Sequence, residues 1–483
     1  MPVEFCCDLS GRPVPFSHFW EYCVGSDHAL VALRADWQKQ LQRSHEELGF
    51  ERVRFHGLLS DDVGSLVREK NELIYSFFNA DQIFDFLVAI GMHPFVELSF
   101  MPTVLASRNN TVFRYKANVS PPKDYKRWGG LIKKLVGHWL DRYGFEEMKE
   151  WNFEVWNEPN LKSFWTGTQR EYFKLYRYSA EAIKSVHSGL RVGGPATARN
   201  EWIEEFRDFC ERNAAPLDFI STHHYPTDAF GKPDDETEKQ LFHSRRGALR
   251  EQAQDASRNA GDLPLYYTEW NTSSNPFDML HDDPYAAAFI VKSVLDVAGI
   301  VDGYSFWTFS DIFEENYFSS VPFHGGFGLL TIHGIPKPAY RAFQLLHKLG
   351  TKQILVDGLH ETVNVWAIVD GTKLTILMSN HGLPGHSIED ERISMILFEA
   401  RAPRAAWIER IDEGNSNPRA TWREMGEPQY LNHEQVNRLI VASEIVRRQQ
   451  RFKYKDGAIA FEVDLPPHGV AAVEFEFSGN PGV

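Results

Sequence analysis

The chain has 483 residues, 66 acidic against 51 basic, for a net charge of −15. That length predicts one large domain with a smaller companion; the acidic balance excludes nucleic acid and anionic membrane surfaces as main partners. Hydrophobic residues make up 43% and aromatics 13%, enough for a real core and for rings that stack on sugars or bases. The four cysteines, Cys6, Cys7, Cys23 and Cys210, show no paired spacing and exclude both a disulfide framework and a zinc ribbon. The opening residues lack the pattern of a signal peptide, and no apolar run reaches the length of a membrane span. A soluble cytoplasmic protein is expected.

Strand-like runs fall at 18–25, 51–57, 93–100, 151–160, 190–196, 218–226, 263–271 and 303–311. Segments of helical spacing separate them. In 126–143, Trp128, Leu131, Ile132, Leu135, Val136 and Trp139 recur three or four apart; 169–187 repeats the pattern. In 284–299 Pro284 suits the first turn and Gly299 the stop, and 336–350 closes the series. Eight such alternations predict a parallel (β/α)8 TIM barrel. An open doubly wound sheet usually carries a Gly-rich loop after its first strand, and none is present. After residue 350 short runs alternate apolar with polar and end at Gly, Pro, Asn or Asp, predicting an antiparallel β-sandwich interrupted by a helix at 433–449. Val3, Phe5 and Cys7 predict that the first residues add a strand to it. The expected division is a barrel over 14–348 and a sandwich over 1–13 and 349–483.

Barrel chemistry sits at the C-terminal ends of strands. The fourth run carries Asn157 and Glu158, the sixth His223, His224 and Tyr225, the seventh Glu269, and the eighth Trp307 followed by Asp311, Glu314 and Glu315. Arg54 and His56 share one face of the second. Two carboxylates at facing strand ends suit glycosidic cleavage, one donating a proton and the other attacking the anomeric carbon. Glu158 is expected to be the acid/base, its pKa raised by nearby Glu269; Glu269 is expected to be the nucleophile, kept anionic by Arg54, Tyr225 or His223. Set against this, Asn-Glu-Pro alone is a weak three-residue string, and a lone strand-end Glu is more often solvated or salt-bridged than catalytic. Two such residues, with Asn157 and aromatics close by, tip the balance.

Taken in order, "FEVWNEPN", the Glu of "YYTEWN", "RFHGLLSDD", "DFISTHHYP", "FWTFSDIFEE", "FHGGFGLLTIHGIPKPAY" and "IDEGNSNPRATWREMGEPQYL" resemble the patterns of glycoside hydrolase family 39. The resemblance spans nearly the whole chain and is nearest the bacterial β-xylosidase branch. It implies Glu158 as proton donor and Glu269 as nucleophile, Asn157 on the sugar 2-OH, and sugar contacts from His56, His223, Tyr225, Trp307 and Glu315 or its neighbour Glu314. His224, on the opposite strand face, is expected to pack.

Trp20, Phe113, Trp128 and Trp165 are candidates to line sugar subsites, core packing or loop anchoring being the better reading of each singly and least so of Phe113, which is kept as a substrate-binding candidate. Adjacent histidines point to opposite faces and do not chelate one ion easily, so no metal is expected, and two-carboxylate chemistry calls for no organic cofactor. The basic run 447–455 reads as a solvated helix exit. The long loops 101–124 and 310–337 predict a walled pocket and exo action. The turn-rich segment 411–418 would cap the sandwich or reach the site. The activity expected is release of xylose from xylo-oligosaccharides by a retaining exo-β-xylosidase. The rivals are the same fold acting on an α-L-iduronide, α-L-arabinoside or β-glucoside, and a catalytically dead sugar-binding barrel.

Overall fold

The computed structural model describes residues 2–70, 72–227, 236–315 and 318–482. Eight parallel strands form its centre: β1 (Val24–His28), β2 (Arg52–His56), β3 (His93–Glu97), β4 (Asn152–Glu154), β5 (Arg191–Thr197), β6 (Phe219–His223), β7 (Leu265–Trp270) and β8 (Gly303–Phe306). They pair in chain order and β8 closes on β1, giving the expected barrel. Helices pack outside it and bury their apolar stripes on the strands. Gln169–Val186 starts at a capping box, Thr168 with Glu171, and Pro284 opens Pro284–Asp296.

The predicted first run differs. Phe19–Glu21 forms a 3₁₀ turn, and β1 begins only at Val24. His18 Nδ1 and Glu21 Oε1, 2.7 Å apart, close that turn locally, while Phe19 and Trp20 both enter the core instead of alternating.

Inside the barrel, period two sorts the side chains into layers. Phe95, Phe219 and Tyr266 from β3, β6 and β7 meet near the N-terminal end, with ring centroids 5.4–6.2 Å apart. Two residues further along β3 and β7, the inward positions are polar: Glu97 and Thr268. Apolar below and polar above, the interior leads towards the C-terminal mouth.

A seven-stranded sheet and a four-stranded sheet enclose a second core, which includes Phe5, Val365, Ile376, Met395, Phe461 and Phe475. The N-terminal strand Val3–Asp8 does join the four-stranded sheet, but parallel to Glu391–Phe398. The seven-stranded sheet is apolar on its outer face too. Trp366, Leu377, Ile411 and Val470 belong to the barrel's core cluster, and Ser379 Oγ donates to Ala288 O at 3.0 Å on helix Pro284–Asp296. The predicted helix at 433–449 stops at Ser443, whose carbonyl accepts from Arg341 Nε at 2.8 Å; Arg448–Gln449 then pairs as an edge strand. No helix among the described residues is long and apolar enough to cross a membrane.

Candidate active site

At the C-terminal mouth, a cavity of about 290 Å3 is lined by His56, Asn157, Glu158, Arg199, Tyr225, Glu269, Trp307 and Glu315, with Leu161, Phe164 and Phe327 among its apolar walls. Its floor is organised by one cation. Arg54 is fully buried, and its guanidinium donates to Glu154 Oε2 at 2.6 Å and Glu269 Oε1 at 2.8 Å. Its Nη2 also donates to Asn157 Oδ1 at 2.9 Å and lies 2.8 Å from Glu97 Oε2. The bond to Asn157 fixes that amide and leaves its N–H2 group for the cavity.

Glu269 receives a second donor on its other oxygen, Tyr225 OH at 3.0 Å. His56 Nδ1 lies 2.7 Å from Glu97 Oε2, and its Nε2 stands 3.6 Å from both Glu269 and Glu315. Burial pulls the His56 pKa down, but the Glu97 charge and hydrogen bond outweigh it and hold the ring above its ordinary value. Glu315 moves the same way for a different reason. Burial first, then the charges of Asp27, Glu269 and Glu158, push its carboxyl well above the usual range.

Glu158 is the second displaced carboxyl. Burial raises its pKa to about 7, against the pull of His56, Arg54 and Arg199. The expected cause, the charge of Glu269, is therefore corrected: desolvation dominates.

Hydrogen-bond accounting then places the proton. Thr268 Oγ1 uses its O–H on Glu154 Oε1 at 2.8 Å, so towards His223 Nε2, at 3.1 Å, it only accepts. Burial lowers the His223 pKa to about 4, so the ring is neutral with its proton on Nε2. Its Nδ1 is then a lone pair, 3.0 Å from Glu158 Oε1, and Glu158 must donate. Chain and burial agree on a protonated Glu158.

Carboxylate oxygens of Glu158 and Glu269, with a nitrogen of His223, lie within 4.8 Å of one another. The two carboxyl groups therefore face each other across the cavity at close range, as a pair that acts on one bond requires.

Seven of the ten predicted site residues line the cavity: Glu158, Glu269, Asn157, His56, Tyr225, Trp307 and Glu315. Three do not. Arg54 lies beneath it, held by four partners, and His223 has both ring nitrogens occupied by Glu158 and Thr268. Phe113 stands behind the wall, with ring centroids 5.5 Å from Phe164 and 6.4 Å from His56. Glu314 does not line the cavity; its carboxylate lies 3.9 Å from Arg34 Nη1. His224 packs as expected, Nε2 2.7 Å from Tyr304 OH and its ring stacked on Tyr267. Trp20, Trp128 and Trp165 are core residues. From the 411–418 turn and the helix after it, Arg419 reaches Asp283 at 2.6 Å, but none of that segment lines the cavity.

Sequence reasoning missed Glu97, Glu154, Thr268 and Arg199. For the first two a signal existed: acidic residues inside otherwise apolar parallel strands are expected only where a partner is buried with them.

The sequence profile of glycosyl hydrolases family 39 matches residues 8–460. The chain belongs to this family. A family 39 assignment agrees with its similarity to a β-xylosidase of Caldicellulosiruptor saccharolyticus, 51% identical over 461 residues and 94% of each chain. A β-xylosidase of Geobacillus stearothermophilus is 37% identical, over 95% of this chain and 93% of its own. Among solved structures, a monomeric β-xylosidase from Caulobacter crescentus CB15 superposes with a TM-score of 0.85 at 30% identity, covering 99% of this chain and 100% of that one.

Proposed function

We propose that this family 39 enzyme is a retaining exo-β-D-xylosidase that releases xylose from the non-reducing end of β-1,4-xylo-oligosaccharides. The observation that carries the mechanism is the close approach of Glu158 and Glu269 in unlike surroundings. Glu158, protonated by burial, delivers its proton to the departing oxygen. Glu269, oriented by Arg54 and Tyr225, attacks the anomeric carbon from the opposite face and forms a covalent glycosyl-enzyme. Glu158, now a carboxylate, takes a proton from the water that hydrolyses it. Asn157 offers its amide to the sugar 2-OH, and Trp307, 4.7 Å from His56 between ring centroids, gives the sugar an aromatic face. The xylose assignment is supported by the names of the relatives. Exo action is supported by the small cavity, at the low end of the range for ligand sites.

We place the division between the domains near residues 348–349 and just past the expected 13–14, because Val14–Pro15 still pairs with Lys352 and Gln353 of the seven-stranded sheet. The four cysteines are unbonded, which fits a reducing compartment such as the cytoplasm.

The experiment is hydrolysis of a panel of nitrophenyl glycosides by wild type and Glu269→Ala, with and without azide. Release from the β-xyloside, lost in the variant and restored by azide as α-xylosyl azide, is expected. Preferential release from an arabinoside, glucoside or iduronide would replace the glycone; release from none would leave a sugar-binding barrel.

A further inference from the structure

Among the described residues, Arg199 faces the cavity without a partner. It lines the mouth from the loop after β5, it is exposed, and no described residue forms an ion pair or hydrogen bond with its side chain. Its neighbours explain why it is presented there. Asn160, last residue of the Asn-Glu-Pro-Asn run, clamps Ala198 twice: Oδ1 accepts from Ala198 N and Nδ2 donates to Ala198 O, each at 3.0 Å. Glu158 N donates to Ala196 O at 2.8 Å, and Arg199 itself sits at φ 64°. The acid closest in sequence, Glu201, accepts from Asn160 Nδ2 at 3.1 Å and forms no ion pair with Arg199. The segment that carries Glu158 therefore also fixes the turn that carries Arg199.

Local neutralisation gives Arg199 no work to do. Glu97, Glu154 and Glu269 already surround Arg54, and Glu315 faces His56 Nε2 at 3.6 Å. Arg199 instead stands on the side of Glu158, whose ionisation its charge influences. If Glu158 protonates the departing oxygen, that side of the cavity receives the leaving group; this step rests on the function proposed above.

We propose that Arg199 recognises a carboxylate on the leaving group, so that the enzyme favours β-xylosides whose aglycone is acidic, such as a uronic-acid-bearing xylo-oligosaccharide. A guanidinium fork matches a carboxylate bidentately, and the pairing is strengthened where the bound substrate excludes water. The overall charge of −15 repels such substrates at long range, but screening confines that repulsion to roughly a Debye length, about 8 Å at physiological salt.

The test compares 4-carboxyphenyl and 4-carbamoylphenyl β-xylosides, similar in shape and different in charge, with wild type, Arg199→Lys and Arg199→Gln, well below the basic limb of the pH profile. The readout is the ratio of kcat/KM for acid over amide, which cancels differences in leaving ability between variants. The ratio is expected to fall about tenfold in Arg199→Gln, one pairing of about 1.4 kcal/mol, to fall less in Arg199→Lys, and to decline with salt in wild type and Arg199→Lys but not in Arg199→Gln. An equal ratio in all three enzymes overturns the role of Arg199. Wild type that cleaves neither xyloside overturns the proposed function instead.

Discussion

His223 Nδ1 stands 3.0 Å from Glu158 Oε1, at the far end of a hydrogen-bond chain that begins on Glu154 and passes through Thr268. The hydroxyl of Thr268 sets the direction of every bond in that chain. In the resting enzyme it leaves a lone pair facing Glu158, an arrangement that favours the neutral acid and works with burial.

Thr268→Val removes the hydroxyl and keeps the shape. His223 is then free to carry its proton on Nδ1 and donate to Glu158, which favours the carboxylate and lowers its pKa. Glu158 must be protonated for the first step, so kcat/KM is expected to be full below about 7 and to fall as pH rises through it. The variant is expected to move that fall to lower pH by about one unit. A pH–rate profile checks it, and an unmoved basic limb would remove Thr268 from control of the proton.

Arg54→Met tests the floor. It strips one cation from Glu97, Glu154 and Glu269, all buried, and leaves like charges facing each other. Breaking a buried ion pair from one side costs about 3–5 kcal/mol, so a lowered Tm is expected, with loss of activity that azide does not restore. Arg54→Lys is expected to recover little, because one ammonium cannot span the fork's four partners. A melting scan beside the nitrophenyl assay reads both; wild-type Tm in the Met variant would refute the account.

Gly25 on β1 makes room for Trp307. A Cβ there would collide with the indole ring and stand 3.1 Å from Phe306 O. Gly25→Ala is expected to displace Trp307 from the cavity wall at a cost of about 1–3 kcal/mol, raising KM about tenfold and shifting the tryptophan fluorescence. Unaltered KM would mean that the ring does not hold the sugar.

The barrel was legible because a parallel strand buried on both faces reads as an apolar run, and eight such runs alternate with amphipathic segments. Polar residues at their C-terminal ends then marked the mouth. Depth was not legible. Arg54 and His223 look like ligand-binding groups from their strand positions, but their partners, Glu97, Glu154 and Thr268, lie on other strands at the same level, and only closure of the barrel brings them together. The turn at Phe19–Glu21 was missed because its cause is a side-chain bond between His18 and Glu21, invisible to periodicity. Arg199 was missed because what presents it is the Asn160 clamp on the next loop.

Lys337 offers a last test, of the glycine-rich segment 325–328 that brings Phe327 to the cavity. Its ammonium lies fully buried, 2.7 Å from both Asp282 and Asp311, and donates to Gly326 O at 2.9 Å. The two carboxylates accept from the same segment, Asp282 Oδ2 from Gly325 N at 2.7 Å and Asp311 Oδ1 from Gly328 N at 2.8 Å. Three charges thus hold a short loop by its backbone, where an apolar side chain would leave two acids unpaired. Against burial, which disfavours its charge, both carboxylates hold the Lys337 pKa above the ordinary value, so the cation persists across the working pH range. Lys337→Met is expected to cost about 3–5 kcal/mol, while the double change of Asp282 and Asp311 to Asn beside Lys337→Met should recover part of it. Measured by denaturant unfolding, a single variant as stable as wild type would show that the loop holds Phe327 by apolar packing alone.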